Sequence, residues 1–349
     1  MKGSTVKVGT RGSALALAQS TQIIRRLKEI HPKLNFVLVP IKTAGDRITS
    51  AAELRKAGKG LFVKEIERAL IGRRISMAIH SMKDLPSELP DGLAIGAVPA
   101  RADASDVFIG RNSTPIEKLP PGAQVGTSSL RRQAILKSIF PHLSFVELKG
   151  NLDTRLEKLR APRSALSGIV VAAAGVGRLY PENGIPTQPL PMEVLVPAAG
   201  QGAIAIEIRG RDEEMRKLLQ PIHHESTAAC VDAEREFQRR LEGGCQVPMG
   251  AHAEASDDGL LRLTACLASL DGRRIIRESQ TGTLDNPLAI AAALETVVNS
   301  KGAQEILSAL RPPPARPAQS ARPHRNGRAM RPNRRGSSRP KVRARIRRR

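Results

Sequence analysis

Hydrophobic positions along the first two-thirds of the chain switch between two periods. The runs at 5–10 (TVKVGT), 34–41 (LNFVLVPI) and 75–82 (ISMAIHSM) are short and rich in large or β-branched apolar residues. Those at 13–30 (SALALAQSTQIIRRLKEI) and 60–72 (GLFVKEIERALIG) space their apolar residues three and four apart. This alternation predicts strand–helix–strand units on a largely parallel sheet. A second set repeats it over 104–110, 123–129, 130–140, 143–150, 151–160 and 167–179. The proline-rich run 183–197 (NGIPTQPLPMEVLVP) reads as a loop. From about Pro221 the pattern changes. A long helix over 225–244 ends at glycines suited to a C-cap, three strands follow around 251–256, 260–269 and 272–280, and helices return from 286. The expectation is a small separate α+β domain.

One echo links the two α/β sets. VGTRGSALALAQ from Val8 and VGTSSLRRQAIL from Val125 share a Val-Gly-Thr turn, a serine and a helical run. Two similar α/β domains facing one another explain it most simply, with the ligand site in the crevice between them. Turn chemistry reused without common ancestry explains it too. Ser128 or Ser129 would cap the second helix, whose N-terminus attracts anions, and Arg131 and Arg132 would add planar donor forks. An ordinary capped helix with a solvated basic turn has the same sequence.

Composition narrows the function. The 349 residues include no Trp, one Tyr and six Phe, so the cores are aliphatic and the body offers few platforms for stacking bases. The formal net charge of +23 looks like a nucleic-acid signature until it is located. The 39 residues from Arg311 hold 15 Lys and Arg and no acid, which leaves +8 for the rest. That tail, 311–349, also holds seven prolines and is expected to be disordered. Its charge suits contact with nucleic acid or another polyanion, although simple tolerance is the default. Cys230, Cys245 and Cys266 form no CxxC and leave an odd count, which supports neither a disulfide framework nor a zinc site. The pair His223–His224 lacks a third ligand and reads as surface or capping, so no metal is expected. No signal-peptide or membrane-spanning apolar run occurs, so the expectation is a cytoplasmic protein with no membrane contact, and by default a monomer.

In open α/β sheets ligands bind beyond the carboxyl ends of the strands, and four predicted strand ends each carry a cation. Arg11 and Ser13 follow the first; Lys83 and Asp84 the third; Thr127, Ser129, Arg131 and Arg132 the strand at 123–129; Lys149 and Arg155 the strand at 143–150. A cleft built for a polyanion is the favoured reading. AGKGLF fails as a P-loop, with Glu53 where the first glycine belongs and Gly60 after the lysine. AAAGVGRLY has Tyr180 in place of the third glycine of a dinucleotide fingerprint. Nucleotides therefore lose ground to multiple carboxylates, which suit arginine. Asp84 among these cations suits accepting N–H donors or stabilising a developing cation; a structural salt bridge with Lys83 or an arginine is an equal reading. Cys245, in LEGGCQVPMG after a helix end, is placed for a nucleophile or a covalent tether, against the commoner role of an inert apolar residue.

Seven motifs in order, VGTRGSALALAQ, GKGLFVKE, IHSMKDLP, VGTSSLRRQ, KGNLDTRL, PAAGQGAIAIE and EGGCQVPMGA, span roughly residues 1–310 and together strongly resemble the porphobilinogen deaminase (hydroxymethylbilane synthase) family. The resemblance implies a transferase of tetrapyrrole, and hence heme, biosynthesis that joins four porphobilinogen units head to tail into hydroxymethylbilane, releasing ammonia at each addition. It implies a dipyrromethane cofactor bound through a thioether to Cys245. Asp84 would hydrogen-bond pyrrole N–H groups and steady the cationic azafulvene formed as ammonia leaves. Lys83, Asp84, Thr127, Ser129, Arg131 and Arg132 would contact the cofactor, and Arg11, Ser13, Lys149 and Arg155 the substrate carboxylates.

The implied fold is two periplasmic-binding-protein-like α/β domains, 1–99 completed by 200–217 and 100–199, plus a small α+β domain over 218–310 bearing the cysteine. The polar stretch 43–60 resembles the family's lid, with Lys59 and Phe62 at its far end. Lys149 departs from the usual arginine of an R-G-N motif, keeping the charge but losing the bidentate fork. The main alternative is a non-catalytic two-lobed anion-binding protein.

Overall fold

In the computed structural model, which describes residues 5–46, 60–181, 184–241 and 247–310, the first α/β set folds as β1 (Thr5–Arg11), α1 (Ala14–Ile30), β2 (Asn35–Ile41), α2 (Lys64–Ile71), β3 (Met77–Ser81) and β4 (Leu93–Ala97). The second follows as β5 (Asp106–Gly110), β6 (Gln124–Gly126), α3 (Leu130–Ile139), β7 (Ser144–Val146), α4 (Leu152–Arg160), β8 (Leu166–Ala172), α5 (Ala173–Leu179) and β9 (Gln188–Leu190). The chain continues through β10 (Ile204–Arg209), α6 (Glu213–Leu219), α7 (Glu225–Arg240), β11 (Met249–Ala255), β12 (Leu260–Ala268), β13 (Ile275–Thr283), α8 (Pro287–Ser300) and α9 (Ala303–Leu310). Lys59, Cys245 and the tail 311–349 lie outside the described residues.

Two five-stranded sheets share one plan, β2-β1-β3-β10-β4 and β7-β6-β8-β5-β9. In each, the first three strands run parallel and the fourth runs against both its neighbours. The expected largely parallel sheet is therefore a mixed one. The reason is connectivity: the antiparallel strand enters from the other lobe, β5 after β4 and β10 after β9, so the chain crosses between the lobes twice. The Val-Gly-Thr echo falls on equivalent strands. Ser13 caps α1 by accepting from Ala16 N, and Ser129 caps α3 by accepting from Arg132 N. Both glycines of the echo admit close packing, since a Cβ on Gly9 would lie 2.3 Å from Ile75 Cδ1 and one on Gly126 2.8 Å from Leu148 Cδ2.

The run at 183–197 is not all loop, because β9 pairs Pro189 opposite Val107. A proline is tolerated there because β9 is an edge strand with one neighbour. The strands β4 (LAIGA) and β10 (IAIEIR) also escaped the periodicity reading; alanine and glycine dilute the first, and the second is buried on both faces.

Helices cover both faces of each sheet. In the first, Ile23, Leu27, Phe36 and Ile206 pack on one side with Leu218 and Leu219, while Ile66, Leu70 and Ile75 pack on the other. In the second, Phe108, Ile135 and Val170 face one way and Val107, Ile109, Leu156 and Val171 the other, the period-2 split of strands buried on both sides. The third sheet, β11-β12-β13, is antiparallel. Its Leu261, Leu263 and Leu267 meet Phe237, Leu294 and Ile306, whereas Cys266 and Ala268 join the core of the second lobe. Val231 of α7 packs with Met82, Leu85 and Ala205 of the first lobe.

A buried carboxylate fastens this third layer to both crossings. Glu234 accepts from Arg101 Nη1 at 2.6 Å and Nη2 at 3.1 Å, from Gly200 N at 2.6 Å and from Ala253 N at 2.8 Å. Burial alone would raise the Glu234 carboxyl, but Arg101 and His252 beside it hold it below the usual range. Glu234→Ala leaves the Arg101 guanidinium uncompensated in a desolvated setting. The expected cost is about 3–5 kcal/mol, read as a lower urea midpoint at unchanged slope.

Candidate active site

Arg11 ends β1, and the following turn is set by Ser13, whose hydroxyl accepts from Ala16 N at 3.4 Å. The guanidinium is half-buried and oriented from three sides. Nε and Nη2 donate to Asp46 Oδ1 at 3.2 and 2.5 Å, the group lies 4.3 Å over the Phe62 ring, and Nη1 stands 4.0 Å from Asp84 Oδ2. The other oxygen of Asp46 accepts from Thr43 N at 3.1 Å and Thr43 Oγ1 at 2.8 Å. Burial opposes the charge on Asp46, yet Arg11 and Thr43 hold its carboxyl below the usual range. Phe62 thus joins the site through Arg11, and a Cβ on Gly45 would strike the Phe62 ring at 2.3 Å.

At the end of β3 the chain makes one 3-10 turn over Met82–Asp84, which brings Lys83 and Asp84 to the same sheet edge as Arg11. Met82 N donates to the Ala203 carbonyl at 3.0 Å, and Ser81 Oγ donates to Gln19 Oε1 at 3.0 Å. Asp84 keeps 40% of its side chain exposed, and Arg11 reaches it only at the outer limit of an ion pair. The salt-bridge reading of Asp84 thus gains little, since Arg11 spends its short bonds on Asp46. Lys83 is half-buried, and its Nζ donates to Gln201 Oε1 at 3.3 Å. Burial, followed by the nearby Arg132, pushes the Lys83 ammonium down to about 8.

In the second lobe, Ser129 rather than Ser128 caps α3; Ser128 Oγ donates instead to the Leu148 carbonyl. Arg131 and Arg132 are not solvated forks. Both are buried, and both close on Asp106, which has no exposed surface. Arg131 Nη1 lies 2.7 Å from Asp106 Oδ2 and donates to the Val196 carbonyl at 2.7 Å. Arg132 donates to Asp106 Oδ1 from Nε at 3.0 Å and Nη2 at 2.6 Å, and to the Val170 carbonyl at 2.9 Å. Burial alone would raise the Asp106 carboxyl, but the two guanidiniums drive it far below the carboxylate range. One buried acid between two buried arginines leaves a net positive charge at the start of α3. Thr127 is also fully buried, with its hydroxyl accepting from Ser129 N at 3.3 Å.

Beyond β7, Gly150 adopts φ +114° and turns the chain into α4. Arg155 Nε donates to the Gly150 carbonyl at 2.8 Å, and the Lys149 carbonyl accepts from Lys158 Nζ at 2.9 Å. Arg155 and Lys149 are both half-buried. Burial and then Arg132 bring Arg155 down to about 10, with Asp84 acting the other way. Arg155 and Arg132 of one lobe and Asp84 of the other therefore share one field.

Sequence reasoning missed three members of this arrangement. Asp46 completes the Arg11 clamp. Asp106 opens an apolar strand, where an acid demands a buried cation, and Gln201 sits between two glycines in PAAGQGAIAIE. His224 takes the capping role, its Nδ1 accepting from Thr227 N at 3.2 Å at the start of α7, whereas His223 Nδ1 accepts from Val98 N at 3.1 Å, just past β4. Among the described residues no group of three or more His, Cys, Asp or Glu is disposed to hold a metal.

Residues 6–217 match the family described as porphobilinogen deaminase, dipyromethane cofactor binding domain, and residues 228–297 match its C-terminal domain. The porphobilinogen deaminase of Carboxydothermus hydrogenoformans is 45% identical over 306 residues, covering 88% of this chain and 97% of that protein. That of Desulforudis audaxviator is 46% identical over 306 residues, covering 88% and 98%. Among solved structures, the BenM effector binding domain with benzoate aligns at TM-score 0.37 and 15% identity, over 62% of this chain and 90% of that one. With both family domains matched in order and 45% of the aligned positions identical to a relative covered over 97% of its length, the chain belongs to the porphobilinogen deaminase family.

Proposed function

We propose that this protein polymerises four porphobilinogen molecules head to tail into hydroxymethylbilane, with release of ammonia, on a dipyrromethane primer held by Cys245. The observation that carries this reading is the convergence of Arg11, Lys83 and Asp84 from one lobe with Arg155 and the Asp106-bound arginines from the other. Each pyrrole unit bears acetate and propionate groups and one ring N–H. Half-buried cations suit the first, and an exposed carboxylate suits the second. The donor set thus fits both the primer and the substrate. When bound, the dipyrromethane supplies the pyrrole terminus to which new units are added.

Arg11, Ser13, Lys149 and Arg155 are assigned to the substrate carboxylates. Lys83, Asp84, Thr127, Ser129, Arg131 and Arg132 are assigned to the primer, the two arginines acting from beneath through the net charge of their cluster with Asp106. Asp84 accepts from pyrrole N–H and stabilises positive charge developing at the aminomethyl carbon of the substrate as ammonia departs. Phe62, stacked on Arg11, and Lys59 are assigned to the lid end. The proposal also takes 1–99 with 200–217, 100–199 and 218–310 as the domains. Pairing of β10 into the first sheet supports this, and Leu218, Leu219 and Ile222 carry the return segment slightly past 217. It further makes the protein a cytoplasmic monomer. Cys230 and Cys266 are buried free thiols, in keeping with a reducing compartment, and among the described residues the exposed large apolar side chains are scattered over both lobes and the third layer, from Ile30 and Val37 through Ile139 to Leu260 and Leu288.

The decisive measurement is intact-protein mass. The purified chain is expected to exceed its sequence mass by one dipyrromethane unit, and Cys245→Ser to lose the increment; a bare wild-type mass would point to a non-catalytic anion-binding protein. Asp84→Asn keeps the shape but removes the charge, and kcat should fall about 10²–10³-fold with KM little changed. Lys149→Arg restores a bidentate fork, so successive elongation rates should change relative to the wild type; identical single-turnover kinetics would remove Lys149 from the carboxylate-holding set.

A further inference from the structure

Gln201 is 1% exposed and lies between two glycines in the left-handed region, Gly200 at φ +71° and Gly202 at φ +87°. Neither glycine has room for a side chain. A Cβ on Gly200 would stand 2.6 Å from Met82 Cγ and 3.2 Å from Lys83 N, and one on Gly202 would stand 2.4 Å from the Ala102 carbonyl oxygen. Three side chains also grip the turn. Glu234 accepts from Gly200 N at 2.6 Å, Arg101 Nε donates to the Gln201 carbonyl at 2.8 Å, and Arg178 Nη2 donates to the Gly202 carbonyl at 2.7 Å. A backbone held this closely sets the direction in which the Gln201 side chain leaves it.

One end of that side chain meets acceptors alone: the Ala104 carbonyl at 2.7 Å, the Ser105 carbonyl at 3.3 Å and Asp106 Oδ1 at 2.9 Å. Only the amide NH₂ satisfies them, so Oε1 faces Lys83 Nζ, 3.3 Å away. The amide thus spans from the acid that anchors Arg131 and Arg132 to the ammonium beside Asp84. We propose that Gln201 is a positioning residue of this active site, its amide keeping the Lys83 ammonium in register with the Asp106-anchored arginine pair across the two lobes. The proposal rests on the reading of Lys83 as an anion-holding group.

The groups around Lys83 give the proposal a measurable consequence. Burial and then Arg132 lower its pKa to about 8, Asp84 and Asp106 oppose the fall, and Arg131 adds to it. A neutral acceptor on the ammonium favours the charged form. Removing it brings deprotonation to lower pH.

The test compares the full-length protein with Gln201→Leu and Gln201→Met by two readouts. One is the pH midpoint of Lys83 acylation, followed by peptide mass spectrometry; the other is the basic limb of kcat/KM for porphobilinogen consumption. In both variants, neither of which offers the ammonium an oxygen acceptor, both readouts are expected to move down by about half a pH unit or more, with kcat/KM near pH 8 lowered about two-fold or more. Midpoints that stay at the wild-type position in both variants overturn the proposal. If Gln201→Leu does not fold, Gln201→Met, closer to glutamine in length, decides alone. If the wild type consumes no porphobilinogen, the enzymatic reading fails while the Lys83 midpoints still judge the role of Gln201.

Discussion

Two guanidiniums and one carboxylate, all buried, form the constraint on which the rest of this structure depends. Asp106 opens β5, the strand that enters the second lobe from the first, and Arg131 and Arg132 open α3 of that lobe. Charges taken out of water destabilise a fold unless their geometry compensates, and a partner left alone costs several kcal/mol. The crossing strand and the start of α3 are therefore held in one relative position. The excess positive charge of the trio lies at a helix N-terminus that already favours anions.

From this trio the order passes outward to both lobes and to the third layer. Gln201 relays it to Lys83, and the glycines flanking Gln201 let the second crossing lie directly against Met82, Lys83 and Ala102. Glu234 ties the same crossing to Arg101 of the first crossing and to β11. The strand ends that carry the chemistry are thus braced at the points where the chain passes between lobes. The half-exposed groups, Arg11, Lys83, Asp84 and Arg155, stand on this base. Their fields overlap: Lys83 responds to Arg132 and Asp84, and so does Arg155.

Much of this was legible in the linear pattern. Arg11, Lys83 and Asp84 could be placed at strand ends because period-2 apolar runs stop just before them, and parallel strands present their carboxyl ends to one edge. The Val-Gly-Thr echo announced two lobes on a common plan, since each glycine admits a neighbouring side chain and each serine caps the following helix. The α7 helix and the three strands after it were legible for the same periodic reason. Other features were not. β9 carries a proline that only an edge position allows, and the burial of Arg131 and Arg132 against an acid is invisible in their own segment, which does not contain that acid.

By itself, then, the sequence determined the elements, the repeat, the cation-bearing strand ends and, through its ordered motifs, the family. Periodicity and capping act over a few residues, so they are written locally. The tertiary structure alone decided that each sheet takes its antiparallel strand from across the molecule, that Asp106 neutralises part of the arginine pair, and that Gln201 joins it to Lys83. Those partners lie about 25 to 120 residues apart along the chain, and desolvation and charge pairing depend on distances that only the folded backbone sets.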